Sequence, residues 1–165
     1  MAAAAPQLVV TTGYQTQEHK NRTHLNLMLE KGKEYLLGVF HIQFPTNQTD
    51  LYNELLKHQK TLKKLRPNIL KKDQWDLLYP ASQQTDSSKF DITLTFLLIR
   101  QLYGYRAPSN GWDNEPAATD HSVIANCIRI KLFRNRLNHA LGLQVSNVEY
   151  KVLYQYICNA LLDLG

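Results

Sequence analysis

Six prolines punctuate the chain, at positions 6, 45, 67, 80, 108 and 116, and none follows. Proline has no backbone N–H, and its ring clashes with the preceding helical turn, so helices run in proline-free intervals. Five helical elements fit those intervals. The first covers about residues 18–43. Leu25, Met28, Leu29, Tyr35, Leu36, Val39 and Phe40 give it an apolar face, and Gly32 and Gly38 are its weak points. The second opens at Thr49 or Asp50 as N-cap and ends at Pro67. Its Leu51, Leu55, His58, Leu62 and Leu65 recur at steps of four and three. Trp75, Leu77 and Leu78, before Pro80, read as a short turn packed on the core.

The third element carries two signals. Phe90, Ile92, Leu94 and Phe96 alternate with Asp91, Thr93 and Thr95, which is a strand pattern. The apolar run then continues through Leu97, Leu98, Ile99, Leu102 and Tyr103. Asp86, Ser87 and Ser88 offer caps before it, and Gly104 can close it. A helix apolar on most sides is buried, and no second strand is available for pairing. The reading is therefore a central helix over about 88–103. Residues 104–121 form a loop rich in Gly, Pro, Ser and Asn. The fourth helix spans about Asp120 to Leu141. The fifth opens on Ser146-Asn147-Val148-Glu149, a capping box, and Gly165 can close it. The expected architecture is an all-α bundle of about five helices over residues 18–165, after a flexible N-terminal tail at 1–17.

Composition narrows the function classes. At 44% hydrophobic, 165 residues can bury a core without staples. The formal charge of +5 suits an anionic partner. No apolar run is long enough to span a bilayer, and the first basic residue is Lys20, so the start lacks the basic region of a signal peptide. The expectation is a cytoplasmic protein without membrane contact. Cys127 and Cys158 match no zinc pattern and read as reduced thiols. The sequons at Asn21 and Asn47 then carry no meaning. No nucleotide-binding, HExxH or GxSxG motif occurs, the six histidines have no zinc spacing, and no metal or cofactor is expected.

Chemistry concentrates in the fourth helix. Val123, Cys127, Ile130, Leu137 and Leu141 lie on one row, with Arg134 in its gap. An arginine in an apolar stripe must be paired or must face a cleft. His139 follows five residues later, in RNRLNH. At ~100° per residue that step places the two side chains ~140° apart on an ideal helix. Asn135 and His139 share a face, and so do Arg134 and Asn138. A distorted helix, or a second copy docked on it, would let arginine and histidine meet around one phosphate. That pair suits RNA cleavage. Histidine can take the 2′-OH proton or protonate the leaving 5′ oxygen, and a guanidinium can hold phosphoryl oxygens. A basic stretch of Lys57, Lys60, Lys63, Lys64, Arg66, Lys71 and Lys72 could engage a phosphate backbone; its blander reading is a solvated helix face.

Arginine, a polar residue, three more positions and histidine, late in a long helix, resembles the HEPN superfamily signature. QWDLLYP (74–80), SSKFDITLTFLLIRQLYG (87–104), GWDNEP (111–116), RIKLFRN (129–135) and ALLDLG (160–165) extend the likeness. They resemble the HEPN domain of the DAZ-interacting zinc-finger ubiquitin ligase type, over about residues 20–165. The resemblance implies an all-α bundle that pairs through the motif helix, and metal-independent endoribonuclease chemistry where the motif is intact. By it, Arg134 binds phosphate, His139 is the acid/base and Asn135 positions; Arg136, Asn138, Lys63 and Lys64 are candidate RNA contacts. It also implies an accessory module of larger proteins, ubiquitin ligases or innate immune receptors. The expected partners are RNA, a second copy, and other domains or proteins of a larger assembly. The competing reading is a non-catalytic dimerisation and interaction module.

Overall fold

The computed structural model describes residues 16–139 and 145–162. Every regular element among them is helical: α1 (Gln17–Phe40), α2 (Gln48–Leu56), α3 (Gln59–Lys63), α4 (Lys72–Leu78), a 3-10 turn (Ser87–Lys89), α5 (Ile92–Leu102), α6 (Val123–His139) and α7 (Asn147–Leu162). The tail expected at 1–17 lies outside the described residues except for Thr16 and Gln17, as do Leu141 and Gly165. Thr16 already caps α1 by accepting from the His19 N–H.

Short polar side chains set the helix starts by accepting orphan N–H groups. Asn47, and not Thr49 or Asp50, caps α2, taking the N–H groups of both those residues. Ser122 Oγ accepts from the Ala125 N–H at the start of α6. Ser146 and Glu149 exchange bonds at α7, as the capping box predicts. The expected second helix is divided, with α2 and α3 separated at Lys57 and His58. There the N–H groups bond three residues back instead of four, and the His58 ring turns onto Phe44, 5.6 Å between centroids. The segment read as a packed turn is helix α4.

The strand-like FDITLTF contains no strand: it is helical from Ile92 onward, with Phe90 and Asp91 just before the helix. The 3-10 turn and Asp91, whose Oδ1 accepts from the Leu94 N–H at 2.7 Å, delay the helix to Ile92. Ile92, Leu94, Thr95, Phe96, Leu98 and Ile99 are all buried. Enclosure on several sides demands apolar residues at odd and even positions alike, and a short stretch of that pattern imitates alternation. Gly104 follows α5 with φ of 67°, the left-handed conformation that ends a helix without a Cβ clash.

Four helices make the bundle, and α6 runs against the other three. The Arg22 guanidinium donates to the Leu137 carbonyl at 2.7 Å, so the start of α1 meets the end of α6. Asn21 donates to the Val145 carbonyl and to Asn147 Oδ1, so α7 begins beside the start of α1. The Tyr103 hydroxyl donates to the carbonyls of Val39 and Phe40, placing the end of α5 at the end of α1. The short helices α2–α4 gather at that same end through Leu51, Leu55, Leu62, Leu70 and Leu78, all fully buried. Asn21 is itself buried, which removes its sequon from consideration.

The most enclosed stretch belongs to α6 and not to α5. Ile124 through Ile130 are buried without a break. α6 can sit this deep because Gly32 of α1 lies against Ile130; a Cβ there would come within 2.9 Å of its Cγ2. Both cysteines are free thiols. Burial pushes Cys127 up to about 12.

Candidate functional site

Beyond Ile130 the character of α6 changes. Phe133 and Leu137 stay buried, Arg134 and Asn135 are half-buried, and Arg136, Asn138 and His139 are exposed. The buried half anchors the helix and the other half presents side chains, the arrangement that holds a site on a rigid element. α6 is regular α-helix through His139, so the five-residue step diverges as the geometry predicts. Arg134 lines a groove of about 170 Å³ with Leu29, Glu30 and Lys33 of α1 and Asp91 and Ile92 at the start of α5. His139 lines a different groove, about 420 Å³, with Arg136 and with Val148, Glu149, Val152 and Leu153 of α7. One chain does not bring the arginine and the histidine together.

Neither is committed to a structural partner among the described residues. Arg134 forms no ion pair, and its Nη1 donates to Asn135 Oδ1 at 3.0 Å. Asn135 therefore orients Arg134 and not His139. In the row that holds Arg134, the flanking Ile130 and Leu137 are fully buried, and the row opens only at its start, where Val123 is 42% exposed. Arg136 is engaged: it donates to Glu115 Oε2 at 3.3 Å and its guanidinium lies 4.4 Å from the Tyr156 ring centre.

The basic stretch is elsewhere. α3 sits by the end of α1, whereas the end of α6 meets Arg22. From Arg22 to Phe40 the rise along α1 is about 27 Å, at ~1.5 Å per residue. Lys57 and Lys72 pair with Glu54 and Asp76, Lys71 donates to the Asn68 carbonyl, and Arg66 lies over Trp75. Lys60, Lys63 and Lys64 remain exposed and unpaired among the described residues.

Sequence reasoning missed a third cluster. The buried arginine of α6 is Arg129, 8% exposed, whose Nη1 donates to Asn126 Oδ1 and Nη2 to the Ala117 carbonyl. Its Nε lies 4.0 Å from Glu115 Oε1. Glu115 Oε2 also accepts from the Tyr156 hydroxyl at 2.7 Å. Burial, then the bond to Glu115, raises the Tyr156 pKa. Two residues earlier, Asp113 accepts from Lys131 at 3.0 Å and Arg100 at 3.4 Å; the Lys131 hydrogen bond leads the lowering of its pKa. The GWDNEP loop thus straps α5, α6 and α7 with two carboxylates. The available signal was charge complementarity between this loop and RIKLFRNR. A cavity of about 640 Å³ opens beside Glu115, Arg129 and Tyr156, and His121 and Asn159 also line it.

Among the described residues, no group of three or more His, Cys, Asp or Glu is placed to hold a metal ion, and no helix is long and apolar enough to cross a membrane.

Comparison with known proteins bears on this site. The E3 ubiquitin-protein ligase DZIP3 of Mus musculus is 30% identical to this chain over 147 residues, 86% of the chain and 12% of that protein. The Homo sapiens DZIP3 is 29% identical over the same length and coverage. The chain spans about 12% of the length of these curated relatives. No solved structure matches. The sequence model of the DZIP3/hRUL138-like HEPN family matches residues 48–165, which takes in α2 to α7, the GWDNEP loop and the whole RNRLNH motif. The chain belongs to the DZIP3/hRUL138-like HEPN family.

Proposed function

We propose that this HEPN domain binds RNA and cleaves it without a metal ion, leaving 2′,3′-cyclic phosphate ends. The observation that supports this most is the uncommitted state of the two motif groups on a fixed helix. Arg134 has no carboxylate partner, and His139 is exposed with no hydrogen bond among the described residues. In the reaction a base removes the 2′-OH proton and O2′ attacks the phosphorus. The 5′ oxygen leaves with a proton from an acid. Arg134 neutralises charge building on the phosphoryl oxygens, Asn135 holds Arg134, and His139 moves a proton.

One chain offers one such histidine, in a groove separate from Arg134. The complete site is therefore proposed to need a second copy docked at the end of α6. Val148 and Val152, 76% and 63% exposed beside His139, suit such a contact. Arg136 and Asn138 would touch the RNA nearby. Lys63 and Lys64 would meet a backbone only on a strand reaching the far end of the bundle. The proposed location is the cytoplasm.

The second reading is a non-catalytic dimerisation or docking module of a larger protein of the ubiquitin-ligase type, an innate-immune setting included. Its supporting observation is that the matched relatives are ligases of which this chain spans 12%. Incubation of the domain with mixed single-stranded RNA in EDTA, with end-group analysis of the fragments, separates the two. Fragments with cyclic phosphate ends that need both His139 and Arg134 support the nuclease. Intact RNA under every condition leaves the docking module as the better account.

A further inference from the structure

We infer that Glu115 fills an anion site, its carboxylate standing where Arg129, Arg136 and Tyr156 would hold a phosphodiester of single-stranded RNA. The inference rests on the RNA-binding reading above but not on cleavage. Three donors from two helices converge on this one side chain. It is an imperfect occupant. Only the Tyr156 hydroxyl, at 2.7 Å, is at full hydrogen-bonding distance. Arg136 donates at 3.3 Å, long for a charge-assisted bond, which is usually ~2.7–2.9 Å. Arg129 Nε stands 4.0 Å away, beyond hydrogen-bond reach. Its Nη1 and Nη2 each donate one bond, to Asn126 and to the Ala117 carbonyl, which fixes a guanidinium nine-tenths buried with its Nε on the side of Glu115 but short of contact.

A phosphodiester shares one negative charge between two non-bridging oxygens on a larger, tetrahedral centre, and so can accept from Arg136, Arg129 Nε and Tyr156 together. The adjoining cavity of about 640 Å³ gives it room. Glu115 can yield without moving its loop: Asn110 Nδ2 donates to the Glu115 backbone carbonyl and holds the main chain, while the side chain is 45% exposed. Arg136 also lines the His139 groove, so a phosphate held here neighbours one presented to His139. Until RNA arrives, the chain's own carboxylate occupies those donors.

The test uses a fluorescein-labelled octauridylate with every 2′-OH methylated, which cannot be cut, read by anisotropy at low salt. Glu115→Gln keeps an acceptor for Tyr156 and removes the competing charge. It should tighten binding on the order of tenfold, the low end of the scale for one additional hydrogen bond to a charged group. Asp113→Asn removes the same charge two residues away and should change affinity less than ~twofold, as expected of an exposed pair. Adding Arg136→Ala to Glu115→Gln should abolish the gain. The inference is overturned if Glu115→Gln gains no more than Asp113→Asn, or if the gain survives Arg136→Ala. A gain for inorganic phosphate without one for the RNA probe would also overturn the RNA assignment. Circular dichroism checks the fold. Should Glu115→Gln be unfolded, Glu115→Asp, which withdraws the carboxylate by one methylene, is read by the same criteria with a smaller expected gain. RNA tightening without any wild-type cleavage would sink the nuclease and leave this site standing; wild-type cleavage without tightening would do the reverse.

Discussion

One substitution made at two places in α1 tests the depth at which the motif helix is seated. Alanine at Gly32 would put its Cβ 2.9 Å from Ile130 Cγ2. Carbon atoms prefer ~3.5–4.0 Å, so that methyl must retreat by about 0.6 Å or more. Ile130 is fully buried, and a β-branched side chain in a helix has essentially one rotamer, so it cannot swing aside. Overpacking of this kind costs ~1–3 kcal/mol. Against it stands the ~1 kcal/mol by which alanine is the better helix former. The net expectation for Gly32→Ala is a loss of about 1 kcal/mol, or a Tm lower by ~2–4 °C for a domain of this size. At Gly38 nothing lies within 4 Å of the same Cβ. There only the helix preference acts, and Gly38→Ala should gain ~0.5–1 kcal/mol, raising Tm by ~1–4 °C. Thermal melts followed at 222 nm, on both variants side by side, give the comparison. If Gly32→Ala stabilises as much as Gly38→Ala, α6 does not press on α1 at Ile130, and the placement of Arg134 and His139 built on that contact fails with it.

His139→Ala should leave the melting temperature within ~2 °C of wild type, since an exposed side chain without partners among the described residues contributes within about ±0.5 kcal/mol, while cleavage falls by ~10²–10⁴-fold; survival of activity in both this variant and Arg134→Ala would point to a contaminating nuclease. Lys63→Ala should weaken RNA binding only for strands long enough to reach α3, and should lower the salt-dependence slope by ~0.7; equal loss for short and long strands would contradict the separation along α1. Asp113 has a carboxyl held below its usual 3.8 by the Lys131 hydrogen bond. Its stabilising effect is therefore complete above the unfolded-state value and fades as pH falls through the lower folded one. Wild type should melt above Asp113→Asn at pH 7 and converge with it in acid, and a gap that widens on acidification would refute the pairing.

Elements whose signals are local were legible in the sequence. Ser146 and Glu149 announce α7 three residues apart, and those same two residues make the cap. The proline intervals located α1, α5 and α6 because a helix of that length leaves few other places to run. The break between α2 and α3 was not legible. It contains neither glycine nor proline, and it follows from His58 packing on Phe44, a tertiary contact that the helical spacing of Leu55, His58 and Leu62 conceals. The charged residue in the apolar row was sought at Arg134, whereas the buried one is Arg129. Its burial is permitted by the Ala117 carbonyl, Asn126 and Glu115, two of which come from a loop with no periodic signal at all. The candidate site divides in the same way. That Arg134 and His139 diverge follows from helix geometry, and they line different grooves, but those grooves are made by α1, α5 and α7 and could not be read from α6 alone.

That division constrains any mechanism. A regular helix fixes the two motif side chains on opposite flanks, and seven consecutive buried residues upstream leave no freedom to rotate it. Unwinding α6 between Arg134 and His139 to bring both into one groove would break its backbone hydrogen bonds and draw Leu137, fully buried between them, out of the core. Moving Leu137 out of the core is comparable to losing most of a buried side chain's transfer energy, ~1.5–3 kcal/mol, before any charge is desolvated. Docking a second copy has no such cost, because His139, Val148 and Val152 are already exposed. The single-chain route to a joined site is thus opposed by the core, and the two-chain route by the entropy of association and the ordering and desolvation of the docked side chains. A dimer-dependent rate, rising with the square of protein concentration below the dissociation constant and linearly above it, is the kinetic form this reasoning requires. A rate strictly linear from nanomolar upward, in a species that sediments as a monomer, would mean that one chain suffices and that the histidine and arginine act on different phosphates.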